Sequence, residues 1–229
     1  MSKMLSALAT RLNDTEQEFR KELKKTSSPA STNLRGAFDI ETSLVPAVLQ
    51  CMEGICPMEM LSSENEKVRS IFTPQIFVST PHLVFSQTER GHAASLRYQR
   101  VSSKFVVVTP EDAMMTWLRT RQPGTHPSFA TVWQAFKCMN EDQLQAYIKT
   151  QGKEKVWCGT VGQGDILFTP VCCIVAERSN TPFGMGVKLS FVSRSQKAQY
   201  EQVFNELQAR NKLSSGGGEL VQAVYTDLQ

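Results

Sequence analysis

The side chains with the widest chemical reach in this sequence are its six cysteines and three histidines, and their spacing decides what they can do. Cys51 and Cys56 stand five apart in CMEGIC, with no second pair at zinc-ligand spacing to complete a tetrahedral site. Cys172 and Cys173 are adjacent in an apolar run, and neighbours in a strand point to opposite faces. With Cys138 and Cys158 isolated, all six read as small buried hydrophobes in a reducing compartment. His82, His92 and His126 fall in loop-like contexts, and no serine or cysteine stands in a nucleophile elbow. Gly159, Gly162 and Gly164 have the composition of a phosphate loop. Such a loop must open a helix, however, and Ile166-Leu167-Phe168 reads as strand.

The elements that would position these residues belong to an ordinary globular chain. Its 229 residues suit one domain with extensions, and 41% hydrophobic with 21% charged residues is enough for a proper core. A net charge of +3, without basic patches interleaved with aromatics, argues against a nucleic-acid partner. No apolar run approaches the ~20 residues of a membrane span. The first residues lack the apolar core of a secretory signal and carry acids that transit peptides avoid. Cytoplasm is the default expectation, with nucleus and organelle left open.

Three β-branched runs, 156–161, 166–176 and 186–192, form a meander separated by turn residues at 162–165 and 179–184. An earlier set, 71–78, 83–85, 95–100 and 104–108, reads the same way, and 105–108 (FVVV) is its clearest member. Between the two sets, 111–150 turns helical, with Val132, Phe136 and Met139 on one face and Leu144, Tyr147 and Ile148 on the next. Asn140 ahead of Glu141-Asp142 makes a good N-cap, and Thr109 offers one for the helix after Pro110. Residues 1–25 carry a one-stripe amphipathic helix through Leu5, Leu8, Leu12, Phe19 and Leu23. That stripe serves equally for docking a partner or for packing on its own domain. Residues 26–37 read as a Ser/Thr/Pro linker, and a short helical pattern starts near Ser43 with Pro46 in its first turn. A helix over 194–213 buries Tyr200, Val203, Phe204 and Leu207. A flexible tail, 214–229, follows, jointed at 214–218, with Leu220, Val221, Val224 and Leu228 on one helical face as a weak docking element.

The residues Gly164, Asp165, Ile166, Leu167, Phe168 and Pro170, followed by Gly186, Val187, Leu189 and Phe191, resemble the second half of a cupin barrel of the JmjC-like group. The first half is similar through Leu96-Arg97-Tyr98-Gln99, Lys104 before 105–108, and Pro110-Glu111-Asp112. The resemblance spans roughly 70–193. It implies an α+β, mainly β fold: a single cupin-like (double-stranded β-helix) barrel over 38–193, with a helical insertion at 111–150 and flanking N- and C-terminal helices.

Iron-dependent members of that family hold the metal on an H-x-D/E pair and a second histidine five residues after the proline, leaving positions open for co-substrate and oxygen. Here that later position is Val175, and the earlier window holds only Glu89 and His92 as ligand-capable residues. Lys104 stands where the family's lysine binds the acidic end of 2-oxoglutarate; an exposed strand-end lysine is the competing reading. Glu177 and Arg178 are expected to pair with each other at a rim. The expectation is therefore a non-catalytic barrel with no cofactor, acting as an interaction or structural subunit. It would meet a protein partner, or a second copy, through its terminal helices. Two alternatives stand beside it: an Fe(II)/2-oxoglutarate oxygenase with displaced ligands at Glu89 and His92 and with Lys104 as the co-substrate anchor, or a metal-free small-molecule binder at the barrel mouth.

Overall fold

The computed structural model describes residues 2–25, 35–40, 44, 46–48, 65–71, 73–79, 82–90, 93–124, 127, 129–181, 183–209 and 217–229. Nine strands form two antiparallel sheets. The five-stranded sheet runs β1 (Arg35–Asp39), β2 (Gln75–Ser79), β9 (Gly184–Phe191), β4 (Ala94–Val101), β7 (Ile166–Thr169). The four-stranded sheet runs β3 (His82–Arg90), β8 (Cys173–Ser179), β5 (Lys104–Pro110), β6 (Trp157–Val161). From β2 onward the chain changes sheet at every connection except one. That exception, β5 to β6, carries the helices α3 (Glu111–Arg121), α4 (Phe129–Cys138) and α5 (Glu141–Gln151). The expected helical insertion is therefore present, and it sits inside one sheet's hairpin.

Local chemistry explains the sheet changes. The 166–176 run, expected as one strand, is two strands in different sheets. Pro170 cannot donate to a ladder, and Cys172 adopts a left-handed φ of 62°, so the chain turns between β7 and β8. The β6–β7 turn is tied by Asp165, whose Oδ2 accepts from the Gly162 amide at 2.7 Å, while Gly164 takes φ 91°. Asn140 caps α5 in a full capping box with Gln143. Thr109 does not cap α3. Its hydroxyl hydrogen-bonds Tyr147 at 2.6 Å, which ties α5 to β5.

Alternation along each strand divides the core. Leu96, Ile76, Val187 and Leu189 face α1 (Ser2–Lys25), which lays Leu8 and Leu12 on the five-stranded sheet and Phe19 beside Phe183. The middle of the N-terminal helix's amphipathic stripe, Leu8, Leu12 and Phe19, thus packs on its own domain, while Leu5 is exposed. Val107, Ile174 and Ala176 face the insertion, against Met114, Phe136, Leu144 and Tyr147. A third cluster draws Val106, Val108, Val161, Cys173 and Val175 from the four-stranded sheet and Leu167 from the other, so it lies between the sheets. Finally α2 (Glu66–Ile71), α6 (Lys197–Ala209) and α7 (Gly217–Asp227) pack around Val68, Tyr200, Val224 and Leu228, with Phe204 stacked on Tyr225.

Four expectations need correction. The fold is α+β but not mainly β, since its helices hold more residues than its strands. The expected tail is helix from Gly217, with Val221, Val224 and Leu228 buried. The expected linker gives up residues 35–37 to β1, while 26–34 lie outside the described residues. The strand expected at 71–78 begins only at Gln75, after a helix that ends at Ile71. No helix among the described residues is long and apolar enough to cross a membrane.

Candidate functional site

The space between the sheets holds two of the residues the sequence singled out, Lys104 and Val175. On β5, side chains two apart share a face, so Lys104 lies on the same inward side as Val106 and Val108. On β8 the inward set is Cys173, Val175 and Glu177. The register sets Val108 opposite Val175 and Val106 opposite Glu177, which brings Lys104 diagonally to Glu177. Lys104 is 5% exposed and donates from Nζ to Glu177 Oε2 at 2.6 Å. It is therefore an interior residue, and the reading as an exposed strand-end lysine is set aside.

From the opposite sheet, Arg97 on β4 reaches the same oxygen, Nη1 to Oε2 at 3.5 Å, with both side chains nearly fully buried. Phe77 on β2 offers its ring face to the ammonium, 4.5 Å from Nζ to the centroid. Opposite Phe77 in the register is Gly186. A Cβ there would come within 2.4 Å of the Phe77 ring and 2.1 Å of the Tyr98 carbonyl, so glycine is what lets that ring lie flat across the strand. The cluster thus joins both sheets: cations from β5 and β4 around one carboxylate from β8.

Arg178, next in sequence, points the other way. It pairs with Glu141 of α5 at 2.9 Å and lies over Phe85 and Phe105. The Glu141 carboxyl is held below its usual range, first by the Gln145 hydrogen bond and then by Arg178. The expected Glu177–Arg178 pair does not form, because adjacent strand residues cannot share a face.

Val175 is 1% exposed and packs in the inter-sheet apolar cluster. Across β3–β8 it stands in register with Glu89, whose side chain lies outside the described residues, as does all of His92. The described donors do not fit a metal here. Val175 has no ligating atom, and burial pushes the Cys173 thiol up to about 11, which keeps it protonated near neutrality. No group of three metal-ligating side chains occurs among the described residues. Of the remaining cysteines, Cys138 is exposed and Cys158 and Cys172 are half-buried, so they are not all the buried residues expected, and Cys51 and Cys56 lie outside the described residues.

A cavity of about 350 Å³ opens beside the cluster, lined by Lys104, Phe105, Thr160, Arg178, Ser179 and Asn180. A second, of about 340 Å³, lies where α3, the β7–β8 turn and α6 meet, with Met115, Val171, Tyr200 and Leu207 on its walls.

The sequence singled out Lys104 and Val175, gave Arg97 no role of its own and placed Glu177 at a rim. The signal for Glu177 was available in the alternation Cys173, Val175, Glu177. Nothing local announces Arg97, since its role depends on which sheet faces which. Compared with protein-family models the chain matches none, and it matches no curated protein.

Proposed function

We propose that this chain is a cupin-like double-stranded β-helix whose interior is closed to metal chemistry, and that it works as a non-catalytic interaction or structural subunit. The strand orders β2-β9-β4-β7 and β3-β8-β5-β6, with the chain alternating between them, match an eight-stranded jelly roll of two Greek keys. The observation that carries the functional reading is the content of the inter-sheet space. Val175 packs among apolar neighbours where a ligand would be needed, and Lys104 is held by the chain's own Glu177. Neither arrangement supplies a nucleophile, a general base or an open coordination position.

An interaction role draws support from Trp133, Trp157 and Phe168, which are large, apolar and exposed. Trp157 and Phe168 lie on β6 and β7, the last strands of their sheets. The terminal helices offer less apolar surface for docking than expected, because Leu8, Leu12, Val221, Val224 and Leu228 are buried at home.

Anaerobic equilibrium dialysis of the purified chain against Fe(II) and Mn(II) tests the reading, with no stoichiometric uptake expected. One metal per chain, lost in Glu89→Ala or His92→Ala, would sink it and favour the oxygenase with displaced ligands. The cavity beside Lys104 favours a second reading, a metal-free small-molecule binder. A thermal-shift screen of the wild-type protein tests that one, since a ligand bound only by the native state raises its melting temperature.

A further inference from the structure

We infer that Lys104 and Arg97 form a carboxylate-binding site which Glu177 occupies from within. In this chain the site is closed to free carboxylates, and it opens to acetate-sized anions when the Glu177 side chain is withdrawn. The geometry is that of a ligand site. A buried ammonium donates to one carboxylate oxygen at 2.6 Å, a buried guanidinium from the facing sheet approaches it at 3.5 Å, and an aromatic face covers the ammonium. The donors come from strands of two different sheets, which hold them rigidly about one point, and rigidly placed donors favour an anion over water.

What fills that point is a carboxylate whose carbon is only three bonds from the backbone Cα of its own β-strand. A tethered group competes at a high effective concentration that a dissolved acid at millimolar level cannot match. The adjoining cavity has Lys104 in its wall, so open space lies next to the site. Truncating Glu177 to alanine removes one methylene and the carboxylate group, which are the two carbons and two oxygens of acetate. The vacated space and the retained cations therefore specify a small monocarboxylate, and propionate exceeds the space by one carbon.

This inference deepens the closed-interior reading above and rests on it, but the two fail separately. Metal uptake would overturn that reading and says nothing about carboxylates; the experiment below contains no metal. Melting curves of the full-length wild type and Glu177→Ala are compared in sodium acetate, sodium propionate and sodium chloride at equal ionic strength. For the variant, acetate should raise the melting temperature saturably, by about 3–6 °C at ten times its dissociation constant, and propionate by less. The wild type should respond alike to acetate and chloride. Equal acetate and chloride curves for the variant overturn the inference, as does an acetate-specific rise of the same size in the wild type. Should Glu177→Ala not fold in chloride, it is refolded in acetate: recovery there supports the site, and failure in both salts overturns it.

Discussion

At the scale of residues, the central fact is a buried carboxylate shared by two buried cations. Burying charges is costly, and the hydrogen-bonded geometry around Glu177 offsets that cost only while every partner is present. Lys104→Met should therefore destabilise the protein by about 3–5 kcal/mol in urea unfolding, far more than a surface lysine would. Adding Glu177→Met to that variant should cost less than the sum of the two single changes, because the second substitution removes the charge that the first stranded. Additive losses would mean that the two side chains do not act on each other. Lys104 was singled out only through the resemblance, as the counterpart of a family lysine that precedes an apolar strand. Its partner was not legible. A polar residue at the end of an apolar strand looks the same whether it turns out to solvent or in to a counter-charge, and the β5–β8 register alone distinguishes the two.

At the scale of elements, the insertion and the four-stranded sheet are tied by a buried polar contact within an apolar interface, with the Arg178–Glu141 pair at its edge. Tyr147 of α5 meets Thr109 of β5, with Trp117 edge-on at 5.2 Å. Burial pushes the Tyr147 hydroxyl up to about 12 and the Cys173 thiol to about 11. Both groups are raised relative to the unfolded chain, so the folded state holds their protons more tightly and their stabilisation is complete at neutral pH. That stabilisation should fall as pH climbs from about 9 towards 12, by roughly 2–3 kcal/mol for Tyr147. Tyr147→Phe should flatten the upper part of that decline in pH-dependent melting while lowering stability at pH 7, since Thr109 loses its partner. At the other end of the same helix, Asn140→Ala should cost about 1 kcal/mol by removing the cap, with Asn140→Asp largely restoring it. Existence of strands and helices was readable because β-branched runs and 3.6-residue periodicity are local signals. The division of 166–176 between two sheets was not, because its apolar composition is continuous and only Pro170 and the backbone of Cys172 break it.

At the scale of the molecule, both sheets are covered on their outer faces, one by α1 and one by the insertion, and the pairings that build them are distant in sequence. β2 and β4 pair with β9, and β3 pairs with β8. No local pattern encodes that arrangement, which is why the sequence left open whether the first helix serves a partner or the domain. Thr15 is informative here. It interrupts the apolar stripe on paper, yet it is 3% exposed and returns its hydroxyl to the Arg11 carbonyl at 2.9 Å, so it can be buried without an unmet hydrogen bond. The buried width of the helix is thus larger than its apolar residues alone indicate. Arg100 on β4 adds a bond to Asn13, and Arg20 lies over Phe183. A helix held this way should behave as part of the fold. Replacing Leu8 and Leu12 together by Asp should therefore cost about 3 kcal/mol or more, by losing apolar contacts and burying unpaired charge. It should also expose the Ile76–Val187–Leu189 face to a hydrophobic dye and draw the protein into higher oligomers by light scattering. A double variant whose melting curve and oligomeric state match the wild type's would show that α1 is dispensable to the domain.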